Sequence, residues 1–542
     1  MTACKKPLCG ILAFILVFVF IAAAPVSVFA EDEQTTYSAQ EIELNKETDE
    51  DGFEYIPIGD GSALEIVGYV GTEKEISVPT RINSLSVISI GAGCFEGNTT
   101  VEVIKLHNDI TTIGDGAFKN CTALKELKKD DALATLGASM FEGCTSLEEY
   151  RIPDAVTDIP EKCFAGCTAL TEIKEHKNLK NVAADAFSGS AWEDAKEEGP
   201  LKFGRVLYSY KGEVKDMVIP EGVSIIEDYA FLGCDFIETV TLGEDVEEIG
   251  LFAFQNCVNL KSVAVDDAMG ILAAGAFKGC SSLTSIDFSE STLATIGYES
   301  FADCTSLAEV KLSETLSEIG DYAFANTKIK TIEFLKNMNS IGTDTFAGVT
   351  TLEGIEVVDK NKTFTTVDGV LYSEDGKALI LFPSAKKGEF QLPQNVEEIK
   401  DKAFINSSVS AVKLSEEPAL RYIGVSAFEN SAITSFEIPA NVVTLNSATF
   451  KNAAKLSKIV FNEGLTYIGA SAFEGCTSLK DVYYKGSKEQ WEKISIFLDN
   501  ECLEKAKISY SNDHQLKPFI DDSDNLVKNY LKSQKRKRTW KI

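Results

Sequence analysis

The stretch IGDGAFKNCTALKEL (residues 113–127) decides how this chain folds, because close copies of it recur along the sequence. Good copies are IGLFAFQNCVNLKSVAV (249–265), IGDYAFANTKIKTIEF (319–334) and IGASAFEGCTSLKDVYY (468–484). They share the pattern I-G-x-x-A-F-x-x-C-x-x-L-x-x-V-x-L. Internal repetition of this kind is typical of arrays in which each copy forms one structural unit.

A recurrent phenylalanine marks each copy. Twelve of the fourteen intervals between its successive occurrences are 22 to 24 residues long, and the occurrences are Phe95, Phe118, Phe141, Phe164, Phe187, Phe231, Phe254, Phe277, Phe301, Phe324, Phe346, Phe404, Phe428, Phe450 and Phe473. The other two intervals are 44 residues after Phe187 and 58 residues after Phe346. The repeat therefore dominates the chain and is interrupted twice.

The repeat itself predicts short strands that stack. The segment L-x-x-V-x-L places its last two apolar residues two positions apart, which is the periodicity of a strand with one buried face. Glycine and proline around it, such as Gly114 and Pro153, make each unit turn. One unit cannot bury its own apolar face, but stacked units bury it in continuous columns. The sequence therefore predicts a β-rich solenoid.

These motifs also resemble a known family. The AFxxCxxLxxVxLP pattern is similar to the BspA-like bacterial leucine-rich repeats over roughly residues 52–510, and residues 61–71 and 482–510 resemble the caps of such arrays. The resemblance implies a right-handed curved leucine-rich-repeat solenoid of about 15 repeats, with a parallel concave sheet and short turns or single-turn helices opposite. It further implies adhesion to host or neighbouring-cell proteins.

Composition excludes several classes of function. The 542 residues include 52 Lys and Arg against 83 Asp and Glu, a net charge of −31 that repels nucleic acid. Only three histidines occur, which leaves little material for imidazole catalysis or zinc binding. The sequence contains no zinc-protease, Walker, nucleophile-elbow or dinucleotide-binding motif. We therefore expect no catalytic residue, metal or cofactor.

The termini differ from the repeats. Lys5 and Lys6 precede an apolar run, and small residues at Val28 and Ala30 predict a signal peptide over 1–30, cleaved after Ala30; an uncleaved anchor is the alternative. We predict a secreted or cell-surface protein with no transmembrane segment once this signal is removed. The remaining assignments are an acidic flexible leader (31–51), an N-terminal cap and first strand (52–94), repeats (95–481), a C-terminal cap (482–510) and a basic, disordered tail (511–542).

Cysteines are frequent but follow the repeat. Eight of the thirteen lie three residues after the marker phenylalanine, where other copies carry Asn, Ser, Thr, Val or Ala. Cys94 and Cys163 occupy the alanine position before it, and Cys502 lies outside the pattern. The position thus requires a small side chain, so we predict buried free thiols; disulfides between neighbours and a zinc site are the alternatives.

The two long intervals predict hairpin insertions near 200–220 and 364–390. Apolar runs flank Lys211-Gly212 in the first interval and Asp375-Gly376 in the second. Insertions project from a solenoid, which would expose a candidate hairpin surface of Tyr208, Tyr210 and Tyr372. Packing of these rings within the hairpins is the alternative, since aromatic residues favour strands.

The residues on either side of the strand valine should face outward on the concave side. They form a candidate binding surface in which an acidic residue is followed two positions later by a basic one: Glu126, Lys128, Glu149, Arg151, Glu172, Lys174, Glu309 and Lys311. Solubility of the sheet and recognition of a protein ligand both explain this pattern. We interpret the chain as a monomeric, non-catalytic protein that binds an extracellular or cell-surface protein; a structural or carbohydrate-binding envelope component is the alternative.

Overall fold

The computed structural model describes residues 45–128, 131–174 and 178–511. The chain divides into two compact units. Unit 1 contains the residues up to Phe231 together with Asp245–Ala253, and unit 2 contains Leu232–Glu244 together with the residues from Phe254 onward. The predicted signal peptide, most of the acidic leader and the basic tail lie outside the described residues.

Most repeats contribute one longer strand from the L-x-x-V-x-L segment; after Phe187 the single-turn helix Ala191–Asp194 stands in its place. In unit 1 these strands are Glu75–Ser77, Val103–Lys105, Glu126–Lys128, Glu149–Arg151, Glu172–Lys174 and Asp216–Val218. In unit 2 they are Thr239–Thr241, Ser262–Ala264, Ser285–Asp287, Glu309–Lys311, Thr331–Phe334, Gly354–Val357, Gly388–Gln391, Val409–Lys413, Ser435–Glu437, Lys458–Phe461, Asp481–Tyr484 and Lys507–Tyr510. Seven of the eleven three-residue strands bury the middle residue between two exposed ones, as the alternation predicts.

A two-residue strand ends at the isoleucine position of the I-G pair, and the residue after it is glycine in only some of the repeats. In unit 1 these strands are Thr112–Ile113, Asp158–Ile159, Asn181–Val182, Ile225–Ile226 and Glu248–Ile249. In unit 2 they are Ile271–Leu272, Thr295–Ile296, Glu318–Ile319, Ser340–Ile341, Glu398–Ile399, Tyr422–Ile423, Thr444–Leu445, Tyr467–Ile468 and Ser495–Ile496. Both kinds of strand pair in parallel with equivalent residues of the next repeat, for example Glu149 with Glu172 and Asp158 with Asn181.

The marker phenylalanines stack into continuous ladders between the two kinds of strand. In unit 1, from Phe95 to Phe187, neighbouring ring centroids lie 5.4 to 5.6 Å apart with interplanar angles of 7 to 26°. In unit 2 one ladder runs from Phe254 to Phe346. A backbone ladder accompanies the rings, since the Phe141 N–H donates to the Cys163 carbonyl at 2.8 Å. Ring stacking and backbone hydrogen bonds thus fix the spacing of the repeats together.

Each unit is a β-solenoid, and the described residues contain about 19 turns in all, which is slightly more than the 15 predicted repeats. Four longer strands lack a marker phenylalanine directly before them in sequence: Glu75–Ser77, Asp216–Val218, Gly388–Gln391 and Lys507–Tyr510. One ladder ring was not predicted from the sequence. Phe382 stacks on Phe404 at 4.7 Å and begins the second ladder of unit 2, which continues to Phe473.

The first insertion is a hairpin, but its turn is not where the sequence placed it. Strands Gly199–Phe203 and Val206–Lys211 pair antiparallel, so the turn lies at Gly204 and Arg205 and not at Lys211-Gly212. The second insertion has three antiparallel strands, Phe364–Val367, Val370–Ser373 and Ala378–Leu381. The second of its turns contains the predicted Asp375-Gly376 pair.

Both ends of the described region are closed by other elements. Strands Glu47–Thr48, Phe53–Ile58 and Ala63–Tyr69 are antiparallel, and the last pairs in parallel with Leu85–Ile90, which also pairs with Arg81–Ile82. The helices whose bounds both lie within the described residues are single turns: Ala191–Asp194, Lys488–Trp491 and Glu501–Glu504. Among the described residues no helix has the length and apolar character needed to cross a membrane.

Replacing Phe164 by alanine should strongly destabilise unit 1. Its ring is fully buried, with Phe141 at 5.4 Å on one side and Phe187 at 5.6 Å on the other. We expect the free energy of unfolding in urea to fall by about 3–5 kcal/mol. Phe497→Ala, which removes a ring that is 54% exposed, is the matched control and should change it by about 1 kcal/mol or less. Equal losses in the two variants would contradict a stabilising role of the ladder.

Candidate functional site

The predicted outward residues of the longer strands do face solvent. Seven of the eight are exposed and Lys128 is half-buried, while the residue between each acidic and basic member is buried. We call the six in unit 1 the strand face: Glu126, Lys128, Glu149, Arg151, Glu172 and Lys174. Glu309 and Lys311 belong to unit 2.

Parallel pairing arranges the strand face in columns of like charge. Glu149 pairs with Glu172, and Arg151 pairs with Lys174, in one two-stranded sheet. The Glu126–Lys128 strand belongs to a different, three-stranded sheet, where Lys128 pairs with Lys105. The structure therefore brings the predicted residues together in two groups within unit 1.

Ion pairs within the face balance these columns. Lys174 Nζ lies 3.4 Å from Glu149 and 3.7 Å from Glu172, and Lys128 lies 2.9 Å from Glu126. Exposed pairs of this kind contribute only about 0.2–1 kcal/mol each, because water screens them. Replacing these ion pairs by contacts with another molecule would therefore reduce the stability of the folded protein only slightly.

The pair Lys311–Asp287 in unit 2 is similar, with a distance of 2.7 Å. The hydrogen bond from Lys311 lowers the pKa of Asp287 to about 2, and bonds from Ser289 act in the same direction. Both side chains are therefore charged at neutral pH. Glu309 and Lys311 flank the buried Val310 on the same strand.

The hairpin tyrosines do not form the projecting surface that the sequence suggested. Tyr208 and Tyr372 are buried, and Tyr210 is half-buried. The Tyr208 ring lies 5.6 Å from Phe187, and its hydroxyl donates to a Glu193 carboxylate oxygen at 3.4 Å. This prediction is wrong because the hairpin stacks within the array, as its strand Val206–Lys211 pairs in parallel with Ile225–Ile226.

Exposed aromatic residues occur instead in the turns before the marker phenylalanine. In unit 2, Tyr298 is 49% exposed and Tyr322 is 36% exposed, with centroids 5.9 Å apart in an edge-to-face arrangement. In unit 1, Tyr229 stacks on Phe252 at 5.6 Å. These residues were not predicted from the sequence, because only the strands were considered. The signal at Tyr229 and Tyr322 was an aromatic residue two positions before the marker phenylalanine, where several copies carry Gly or Ser; Tyr298 lies one position earlier, where Ala or Asp is common.

Comparison with protein-family models matches the BspA type leucine rich repeat region in six copies, at residues 82–196, 202–293, 275–368 and 381–503. These segments cover well over half of the chain. The chain belongs to the BspA-type leucine-rich repeat family. The predicted resemblance and the leucine-rich-repeat fold class are thereby confirmed.

Solved structures of several proteins are similar to this BspA-type chain. A leucine rich cell surface protein from Faecalibacterium prausnitzii is 23% identical, covering 83% of this chain and 97% of that chain, with a TM-score of 0.32. A leucine-rich repeat protein from Bacteroides ovatus is 24% identical, covering 85% and 98%, with a TM-score of 0.35. The pneumococcal vaccine antigen PcpA is 16% identical, covering 86% and 98%, with a TM-score of 0.31. Comparison with curated proteins gives no match.

The cysteines of the BspA-type repeats are buried and unpaired. All eleven within the described residues are free, and all except Cys502 are buried, which confirms the predicted free thiols. Cys121 Sγ donates a hydrogen bond to the Phe95 carbonyl of the preceding repeat at 3.0 Å. The same bond recurs at Cys144, Cys167, Cys280, Cys304 and Cys476. In the described ranges no group of three or more His, Cys, Asp or Glu side chains could hold a metal ion.

Thiol reagents should therefore distinguish Cys502 from the repeat cysteines. Burial raises the pKa of Cys121, Cys167 and Cys476 to about 12, so these thiols are protonated at pH 8 and lack the reactive thiolate form. We expect iodoacetamide at pH 8 to label Cys502 in the folded protein, as mapped by mass spectrometry of peptides. The other ten should react only after unfolding in urea, and their rapid labelling in the folded protein would contradict the structure.

Glu227 is a partly buried carboxylate in the turn of unit 1 that follows the first insertion. Its Oε2 accepts the backbone N–H of Val182 at 3.3 Å. Burial raises the pKa of Glu227 to about 7; the hydrogen bond from Val182 opposes this shift, and the negative charge of Asp228 adds to it. Folding thus favours the protonated form of the Glu227 carboxyl, compared with the unfolded chain.

The stability of unit 1 should accordingly depend on Glu227 between pH 4.5 and 7. Because its pKa rises from an ordinary 4.5 to about 7, its stabilising contribution is complete below pH 4.5 and is lost as the pH rises to about 7. Glu227→Gln resembles the protonated form and keeps an oxygen acceptor. We expect its unfolding free energy, relative to wild type, to increase from pH 4.5 to pH 7.5. Glu221→Gln, at an exposed position, is the control and should show no such slope.

Proposed function

We propose that this BspA-type protein is exported, displayed at the cell surface and binds another protein through the strand face. Three features support the proposal: the apolar N-terminal segment, membership of the family, and similarity to a protein described as a leucine rich cell surface protein. The predicted domain boundaries are part of this proposal, as is adhesion to host or neighbouring-cell proteins.

The observation that carries the proposal is the exposure of charged columns on a rigid support. Each strand-face residue flanks a buried residue such as Tyr150 or Ile173, so its backbone is held by the core. Little conformational entropy of the backbone is then lost on binding, and complementary charges give specificity and fast association. The expected partner presents a basic row beside an acidic row.

Reversing the acidic column should abolish this interaction without unfolding the protein. The triple variant Glu126→Lys, Glu149→Lys, Glu172→Lys makes the whole strand face positive. We expect at least tenfold weaker binding to whichever protein is captured from a panel of purified extracellular-matrix and cell-surface proteins, as measured by surface plasmon resonance. The unfolding free energy should fall by about 1 kcal/mol or less per replaced residue, because the lost ion pairs are exposed.

A matched control separates the face from the overall charge. Glu197→Lys, Glu213→Lys, Glu221→Lys changes the net charge equally at exposed positions of unit 1 that are outside the strand face. This variant should retain binding. The proposal that the partner binds through the strand face would be contradicted if the two triple variants weakened binding equally, or if the strand-face variant bound like the wild type.

A further inference from the structure

The turn tyrosines of unit 2, Tyr298 and Tyr322, form a small aromatic platform. They lie in successive I-G-x-x-A-F turns, with ring centroids 5.9 Å apart and an interplanar angle of 77°. Both remain substantially exposed, whereas the phenylalanine that follows each of them is fully buried. The two rings therefore contribute little to the core.

Tyr322 also adopts a backbone conformation that its side chain disfavours. Its φ of 57° lies in the left-handed region, where a bulky residue is unusual because its Cβ crowds the backbone. At this turn position, two residues before the marker phenylalanine, the other left-handed residues of unit 2 are Gly275, Glu299, Lys402, Ser426, Ala448 and Ser471. The left-handed turn is thus a feature of the repeat, and Tyr229 and Phe252 of unit 1 adopt it as well. At Tyr322 this turn carries an aromatic ring that remains 36% exposed.

Charged pairs flank the two rings. Asp344, paired with Lys402, follows Tyr322 along the array, and Glu299, paired with Lys278, lies beside Tyr298. Burial, and then the charge of Asp344, raise the pKa of Tyr322; burial and Glu299 do the same for Tyr298. Both tyrosines are therefore neutral phenols at physiological pH. Each ring thus has hydrogen-bond acceptors and donors at its edge.

We propose that the turn tyrosines bind a neutral, β-linked sugar chain whose pyranose rings carry equatorial substituents. Such a ring presents axial C–H groups that stack on an aromatic face, and its rim of hydroxyls suits the neighbouring carboxylates and ammonium groups. Anionic sugars are disfavoured by Asp321, Asp344 and the net charge of −31. This site is independent of the protein-binding strand face.

The proposal is tested by calorimetric titration of the full-length protein, purified after export, with two probes, cellotetraose and chitotetraose. We expect saturable binding of at least one of them. Tyr298→Ala and Tyr322→Gly should each weaken binding about tenfold, because each removes one stacking ring. Glycine adopts a positive φ without steric cost, so Tyr322→Gly should unfold within a few degrees of the wild-type temperature.

Tyr422→Ala is the matched control, because Tyr422 is a similarly exposed ring (39%) of unit 2 outside this pair, whose hydroxyl donates to Asp401. It should leave binding unchanged. The proposal would be overturned if the wild-type protein bound neither oligosaccharide, if binding persisted in Tyr322→Gly and Tyr298→Ala, or if Tyr422→Ala weakened it equally. Strand-face variants should bind both probes like wild type, which keeps this test separate from the protein-binding one.

Discussion

Stacking of phenylalanine on phenylalanine is the interaction on which the rest of each unit depends. A ring such as Phe141 is covered on one side by Phe118 and on the other by Phe164, so no single repeat can bury its own marker residue. The spacing of the rings is also compatible with the parallel strands and with the backbone bonds between neighbouring turns. Each repeat is therefore stabilised mainly by its neighbours, and each insertion has to preserve their contact.

The sequence was sufficient for the parts of the fold that depend on period and alternation. The regular interval between marker phenylalanines predicted an array of stacked repeats. The alternation of apolar and polar residues around Val310 predicted which residues of that strand are buried. It was insufficient where a segment leaves the repeat. Phe382 has no preceding I-G-x-x-A pattern, yet it occupies a ladder position, because the insertion before it returns the chain to the array. Tyr208 was mispredicted as projecting for the same reason: local alternation does not reveal which neighbouring turn covers a strand.

The candidate surfaces were predictable to different extents. Outward side chains on strands such as Glu149–Arg151 follow directly from alternation, so the strand face was found from sequence. The turn tyrosines could not be found in that way, because side-chain direction in a tight turn depends on backbone dihedral angles. Tyr322 points outward since its left-handed conformation continues the turn while Ala323 and Phe324 enter the core. Departures from a repeat's usual residue are thus as informative as the repeat itself.

The two proposed surfaces depend on the core in different ways. The strand face follows from regular pairing, and its charges can be exchanged because exposed ion pairs contribute little to stability. The turn tyrosines instead lie close to the second insertion, where Lys402 reaches back 58 residues to Asp344. That ion pair joins the turns before and after the insertion and also flanks Tyr322. A change in the insertion would therefore alter the turn tyrosines and leave the strand face of unit 1 unchanged. In a repeat array each repeat is stabilised mainly by its immediate neighbours.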